Sequence, residues 1–274
     1  MVATKAEHLT TRPDRALWPT LAELGLQLDH PGLGRQSYLL ARPLAWFGLY
    51  WLSVGLEWWP LAILAIPAMF VTGVAVLNDL VHEAVGLGQG WSRLCIGVIA
   101  ALMLENGAAV TATHLQHHFG KLEDWDPEGY IDTMKLPRLL LECPIYRYRL
   151  WVWAWNQSEA ARTAILSQAA VHGFVIATAI LVPWTPLRLF VVVLVVAGLI
   201  FPLVSARGPQ NAWGYGDPNR TIVRGRWVPR LLLGMTYHLE HHLYPEVPTY
   251  QLAELARRLE PLLVARGAQR VWTW

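Results

Sequence analysis

The chain has 274 residues, of which 54% are hydrophobic and 15% are charged, and its formal net charge is +2. Soluble domains usually contain about a quarter charged residues, so this composition argues against an ordinary soluble protein and favours a membrane protein. The total charge by itself is uninformative, and we expect no nucleic-acid partner.

Four apolar runs, each about long enough to cross a bilayer, are the predicted membrane-spanning helices. In chain order they cover residues 43–59, 61–78, 163–182 and 187–205. The segment before them, residues 1–40, is too polar and too charged to be a signal peptide, so we expect the runs to remain as anchors. Tryptophans at their ends are typical of an interfacial aromatic belt. We therefore predict an all-α membrane protein with four transmembrane helices in two hairpins.

The distribution of Lys and Arg predicts the orientation of these helices. Five precede the first run, seven lie between the second and third, and nine follow the fourth. Arg188, at the start of the fourth run, is the only one beside a short turn between paired runs. By the positive-inside rule, both termini and the middle segment are cytoplasmic and the two turns face the opposite side. Cys95 and Cys143 then lie on the cytoplasmic side, where we expect neither a disulfide nor a cysteine-rich zinc site.

Residues 94–113 form a further apolar segment, but Glu105 and Asn106 lie at its middle, where hydrocarbon would penalise them. If this segment crossed the membrane, His82 before it and His114 after it would lie on opposite faces. We therefore predict a re-entrant or interfacial helix on the cytoplasmic side. It would belong to a helical cap below the two hairpins.

Seven of the ten histidines fall in three short clusters. The second cluster, HLQHH, and the third, HLEHH, place histidines at i, i+3 and i+4, which lie on one face of a helix. Seven imidazoles exceed the shell of one zinc ion and suit two metal ions of higher coordination number. Two iron ions in a nearly all-histidine site fit best, and the candidate ligands are His82, His114, His117, His118, His238, His241 and His242.

The C-terminal tail begins after the last cluster. Leucines recur at helical spacing over residues 249–266, opposite arginines and a glutamate, which predicts an amphipathic helix lying on the cap or on the membrane surface. We interpret residues 1–274 as a single domain with a cytoplasmic N-terminal segment (1–40), a transmembrane and catalytic core (41–248) and this tail (249–274).

The clusters and their flanking residues resemble the integral-membrane fatty acid desaturase and hydroxylase superfamily, which includes carotenoid hydroxylases and ketolases. The matching motifs are NDLVH at residues 78–82, HLQHH followed by DWDP at 124–127, and YHLEHHLYPEVP at 237–248. The chain departs from the family pattern twice. Asn78 replaces the histidine that usually opens the first box, and RGPQN at 207–211 has no histidine where many members carry one after an arginine.

The resemblance extends the candidate site beyond the histidines. Asn78 and Asn211 become candidate metal ligands through their carbonyl oxygens, which donate more weakly than imidazole. Acidic residues near the boxes are expected to accept the second ring N–H of ligand histidines and so orient them. These residues are Asp79, Asp124, Asp126 and Glu240.

The resemblance implies an oxygen-dependent, non-heme diiron enzyme in which the seven histidines are catalytic. We expect it to desaturate or hydroxylate a long apolar substrate, a fatty-acyl chain first and a carotenoid ring as the alternative. A non-catalytic metal-binding or transport protein is a different interpretation, but it would place polar residues at mid-bilayer rather than at the boundary.

No flavin or nicotinamide motif is present, so we expect electrons from an external donor such as a ferredoxin or a cytochrome b5-type carrier. A basic run near the third histidine cluster contains Arg220, Arg224, Arg226 and Arg230. It either attracts that donor by its charge or only reflects the membrane topology.

Overall fold

The computed structural model describes residues 18–28, 31–119, 126–205 and 221–273. Within these ranges the chain is almost entirely helical, which confirms the predicted all-α class. The helices are α1 (Leu33–Gly55), α2 (Trp59–Val81), α3 (Gln89–Leu102), α4 (Gly107–Phe119), α5 (Leu136–Trp155), α6 (Glu159–Leu181), α7 (Thr185–Ser205), α8 (Val228–Leu231), α9 (His238–Leu243) and α10 (Leu252–Ala265). Single 3-10 turns cover Gly129–Ile131 and Thr249–Gln251.

Two short strands that the sequence did not predict lie in the C-terminal part. Strand β1 (Thr221–Gly225) pairs in parallel with β2 (Gln269–Thr273), with Ile222 opposite Arg270. The pair joins the segment before α8 to the segment after α10, which are far apart along the chain. Such a pairing depends on tertiary contact and leaves only a weak local pattern.

Three helices, α2, α6 and α7, are long and apolar enough to cross a membrane, and the α3–α4 pair would make a fourth if it were one bent span. This agrees with an integral membrane protein of about the predicted number of spans. Most of the expected first span, residues 43–59, lies in α1, which ends at Gly55 and is not among the three. Arg35 and Arg42 in the first half of α1 lower its apolar character. That the helices cross as two hairpins stays a prediction.

The apolar segment at 94–113 is two helices rather than one, because the chain bends by 108° between α3 and α4. Asn106 lies at the bend and is fully buried. Its side-chain oxygen accepts a hydrogen bond from the backbone N–H of Ala109, so it caps the start of α4, and its amide donates to the carbonyl of Ile165. Glu105, next to it, pairs with Arg147 of α5. The two polar residues are therefore satisfied inside the protein.

Helix α2 lies at the centre of the main core. Pro60 occupies its first turn, where a missing N–H costs no hydrogen bond, and small residues on its buried face let neighbouring helices approach. The core contacts come from α1, α2, α3 and α7, and include Tyr50, Ala65, Ile66, Val76, Ile99 and Leu194. This packing fixes the C-terminal end of α2, where Asn78 and His82 lie.

A second core holds together the C-terminal part of the chain, which we call the cap and which comprises β1, α8, α9, α10 and β2. Helix α10 buries Leu252, Leu255, Leu259 and Leu263 against residues next to α9 and β1, including Tyr244 and Ile222. The predicted amphipathic helix of the tail is therefore present, and its apolar face packs on the cap. Leu262, which the spacing had assigned to that face, is 39% exposed, and Leu263 takes its place.

Candidate metal centre

Three chain segments bring the histidines together. His82 follows the last residue of α2, the second cluster forms the last turns of α4, and the third cluster forms most of the short helix α9. In the last two segments the i, i+3 and i+4 spacing turns three rings to one side of the helix, as expected. The structure places all seven predicted histidines at one site.

The seven rings form two groups. Within each group, one ring nitrogen from every member lies within 4.8 Å of the others, close enough to bind one metal ion. The first group contains His82, His114, His118 and His241, and the second contains His117, His238 and His242. The groups are adjacent, because the ring centroids of His118 and His242 are 4.1 Å apart. Each HxxHH motif therefore contributes histidines to both groups.

Two carboxylates contact the histidines of α4. Asp126 lies 2.8 Å from Nδ1 of His117, as the predicted orienting role requires, and both residues are completely buried. Backbone N–H groups of Glu128 and Gly129 donate to Asp126 and hold it in place. Glu128, which the sequence reasoning missed, lies 3.1 Å from Nδ1 of His114 and accepts a hydrogen bond from Thr113. The sequence could have indicated Glu128, because it lies two residues after Asp126 in DWDPEG.

Two other predicted carboxylates have partners different from those expected. Asp79 accepts hydrogen bonds from the backbone N–H and the hydroxyl of Thr249, each at 2.8 Å, and so ties the end of α2 to the cap. Glu240 pairs with Arg224 at 2.7 Å. Glu240 lies between His238 and His241 on α9, off the face that the histidines share. These contacts connect elements, and the predicted orienting role of Asp79 and Glu240 stays a prediction.

Asn78 lies beside the first histidine group. Its side-chain oxygen is 3.1 Å from Nε2 of His114. The other weak ligand candidate, Asn211, and the carboxylate Asp124 lie outside the described residues. Their predicted roles therefore stay predictions.

The electrostatics of the site suit a cation. Burial, followed by the neighbouring imidazoles, lowers the pKa of His118 well below its ordinary value, so this ring is neutral at pH 7 and available as a ligand. Burial alone would raise the pKa of Glu128, but His114 and His117 lower it below its ordinary value, and the carboxylate is ionised.

Unsatisfied nitrogens also indicate metal binding. Among the described residues, neither ring nitrogen of His118 has a hydrogen-bond partner, and Nε2 of His117 has none either. Buried polar atoms without partners are costly, and metal coordination would satisfy them. The donor set, rich in imidazole and supported by carboxylates, fits iron or another first-row transition metal.

A cavity of about 210 Å³ reaches the histidines. Apolar side chains from α2, α4, α5 and α7 line most of it, including Phe70, Leu77, Val110, Leu150 and Phe201, and His114, His117, His238 and His241 form its polar end. The lining also contains Glu105 and Arg147, which are paired with each other, while Gly198 of α7 leaves room for the Arg147 guanidinium. The cavity suits a slender apolar group whose reacting atom lies against the histidines.

Comparison with known proteins identifies one family. The model of the family described as fatty acid desaturase matches residues 56–274, which include all seven histidines and the helices around the cavity. No curated protein matches the chain.

Proposed function

Because the chain belongs to the fatty acid desaturase family, we propose that it is an oxygen-dependent diiron oxidoreductase that introduces a double bond or a hydroxyl group into a fatty-acyl chain. The family indicates a desaturase- or hydroxylase-type oxidoreductase. The observation that carries the more specific proposal is the pair of adjacent histidine groups at the end of an apolar cavity.

The histidine groups would each hold one iron ion. His82, His114, His118 and His241 surround the first position, and His117, His238 and His242 surround the second. Asn78 would complete the first position. The second has three described ligands, and Asn211 is the candidate for the fourth. When bound, two irons would supply the oxidising power that activates O2 toward an unactivated C–H bond.

The protein's own contribution is to position the substrate and to exclude water. Desaturation removes two hydrogens from the substrate, and complete reduction of O2 to water takes two further electrons, which an external ferredoxin or cytochrome b5-type carrier would supply. Most of the cavity wall is apolar and would hold the chain by apolar contact, so the depth of insertion would decide which carbon reaches the histidines. Asp126 and Glu128 fix the orientation of two rings through their Nδ1 atoms.

Product analysis tests this proposal. The chain is expressed with a ferredoxin and its reductase in cells that make ordinary membrane lipids, and separately in cells that make β-carotene. We expect a new unsaturated or hydroxylated fatty acid modified at one position, and no new product from His118→Ala. A new carotenoid alcohol or ketone with unchanged fatty acids would replace the proposal by the carotenoid alternative. Unchanged lipids and carotenoids in both hosts, with iron bound, would contradict it.

Metal analysis tests the diiron centre separately. Purified protein should carry close to two irons per chain and little zinc, because seven imidazoles exceed the shell of a single zinc ion. His118→Ala should lower bound iron. His172→Gln is the matched control, because His172 is also a buried histidine but lies in α6, outside both groups. One zinc and no iron per chain would end the diiron interpretation.

A further inference from the structure

A second pocket, which we call the arginine pocket, lies between the start of α1 and the cap. It has a volume of about 530 Å³. Its charged lining residues are Arg42, Arg226 and Arg230, and its aromatic ones are Tyr237, Tyr250 and Trp272. None of the described residues that line it is a carboxylate. The pocket is therefore strongly positive.

The three arginines of the pocket lack the partners that other arginines of the cap have. Among the described residues, Arg226 and Arg230 form no ion pair, and their guanidinium groups lie over the ring of Trp227. The Nε and Nη2 atoms of Arg42 are buried and have no hydrogen-bond partner in the described part of the chain. Arg42 acts electrostatically on the carboxylate of Asp79, but Asp79 already accepts two hydrogen bonds from Thr249.

The other arginines of the cap show the contrast. Arg224 pairs with Glu240 and Glu260, and Glu260 also pairs with Arg270. Arg257 and Arg258 both pair with Glu254. Of the predicted basic run, Arg224 is thus buried in ion pairs and Arg220 lies outside the described residues. Membrane topology accounts for an excess of arginine. It does not account for three arginines that line one concave site, or for the buried N–H groups of Arg42, which have no partner in the described part of the chain.

The chemistry of this site matches a phosphate group. Guanidinium groups bind phosphate oxygens through paired, charge-assisted hydrogen bonds, and three of them balance a multiply charged anion. The flanking Tyr237, Tyr250 and Trp272 provide apolar and hydrogen-bonding surface for the remainder of a larger ligand.

The arginine pocket adjoins the apolar cavity of the metal centre. Thr249 lines both the pocket and the cavity, and the segment before α9 contributes residues to the lining of each. Leu232 and Met235 line the apolar cavity, while Leu233 and Gly234 line the arginine pocket. An amphiphile with a phosphate group on one side and an apolar chain on the other matches this pair of spaces.

We propose that the arginine pocket binds the phosphate group of a ligand, with a lipid headgroup as its source, through Arg42, Arg226 and Arg230. The proposal concerns binding alone. It holds whether the same lipid is the substrate of the metal centre or an accompanying membrane lipid.

Ligand binding to the purified, metal-loaded full chain in neutral detergent tests the proposal. Dioctanoyl phosphatidic acid, dioctanoylglycerol and inorganic phosphate are titrated at constant ionic strength, and the dissociation constant and the shift in melting temperature are measured. Phosphatidic acid should bind and raise the melting temperature, whereas dioctanoylglycerol, which lacks only the phosphate, should not. Binding of inorganic phosphate with equal affinity would assign the pocket to a soluble phosphate source. Binding of neither phosphate compound, or of dioctanoylglycerol as well as phosphatidic acid, would overturn the proposal.

Arginine variants locate the binding. Arg226→Gln and Arg230→Gln remove exposed side chains, so the fold should persist while each weakens phosphate binding by about tenfold. Arg42→Gln should weaken it at least as much. Arg257→Gln is the matched control, because it removes one positive charge from the surface of the same cap outside the pocket. Unchanged affinity in the two exposed variants, or an equal loss in Arg257→Gln, would show that the phosphate binds elsewhere.

Discussion

At the scale of single residues, Asn78 is the candidate that would complete the proposed first metal position. Nδ1 of His114 faces Glu128, and in the tautomer that donates from Nδ1 to this carboxylate, Nε2 keeps a lone pair. The side-chain oxygen of Asn78 lies 3.1 Å from that nitrogen and is also an acceptor. A cation beside both atoms would satisfy the two lone pairs together. This arrangement supports Asn78 as a weak ligand.

Substitution of Asn78 tests its contribution. Asn78→Ala should lower turnover by roughly tenfold to a hundredfold, whereas His82→Ala or His241→Ala should abolish turnover and reduce bound iron, because imidazole is the stronger donor. Asn78→His should keep iron and at least part of the activity. Iron content and product formation are measured together. Loss of iron in Asn78→His combined with full activity in Asn78→Ala would show that residue 78 does not face the metal ions.

Glu128 is predicted to hold His114 in the tautomer that a ligand needs. Glu128→Gln preserves the size of the side chain but removes the charge, so we expect metal affinity to fall by about tenfold to a hundredfold. The measurement is iron bound per chain at limiting iron concentration. Glu254→Gln, an exposed site on α10, is the control and should bind iron normally. Normal affinity in Glu128→Gln would remove Glu128 from the metal centre.

At the scale of elements, the six-residue helix α9 is too short to be stable alone and depends on its neighbours. Arg224 of β1 joins α9 to α10, because it pairs with Glu240 at 2.7 Å and with Glu260 at 2.8 Å. Burial raises the pKa of Glu240, and the adjacent Arg224 opposes that effect. This ion-pair network positions the helix that carries three of the seven histidines.

Removal of Arg224 should therefore destabilise the cap. Arg224→Met leaves Glu240 buried without its partner, and we expect the free energy of unfolding to fall by about 3–5 kcal/mol. Denaturant unfolding measures the change. The double variant Arg224→Met with Glu240→Gln should recover part of the loss, because no charge is then buried unpaired at that site. Arg257→Met, at an exposed pair, should change stability by less than about 1 kcal/mol. Equal losses in the Arg224 and Arg257 variants would argue against this network.

At the scale of the whole molecule, the two turns predicted to face outward lie at the same end. The hydroxyl of Tyr50 near the end of α1 donates to the carbonyl of Pro186 in the first turn of α7, and the rings of Trp51 and Trp184 stack with centroids 5.1 Å apart. The cap and the histidines lie beyond the C-terminal end of α2. The positive-inside rule predicts that this end faces the cytoplasm.

Cysteine labelling tests this topology. In a background with Cys95→Ala and Cys143→Ala, we expect Gly88→Cys before α3 and Thr133→Cys before α5 to react from the cytoplasmic face. Pro183→Cys, in the turn between α6 and α7, should react from the opposite face. The reason is that the α3–α4 pair bends by 108° instead of continuing as one helix. Labelling of Gly88→Cys and Thr133→Cys from opposite faces would show that this pair spans the membrane.

The sequence by itself determined the helical class, the apolar segments, the three histidine clusters and the amphipathic α10. These features depend on residues within a few turns of one another, so their spacing is visible along the chain. Only the tertiary structure decided which histidine joins which group, because HLQHH and HLEHH lie on separate helices whose packing interleaves their rings. The tertiary structure also decided the contact of Glu128 with His114, the contact of Thr249 with Asp79, and the parallel pairing of β1 with β2. The partners in these pairs are separated by 14, 170 and about 48 residues, and no periodic pattern connects them. Tertiary packing of the helices, turns and strands brings them together.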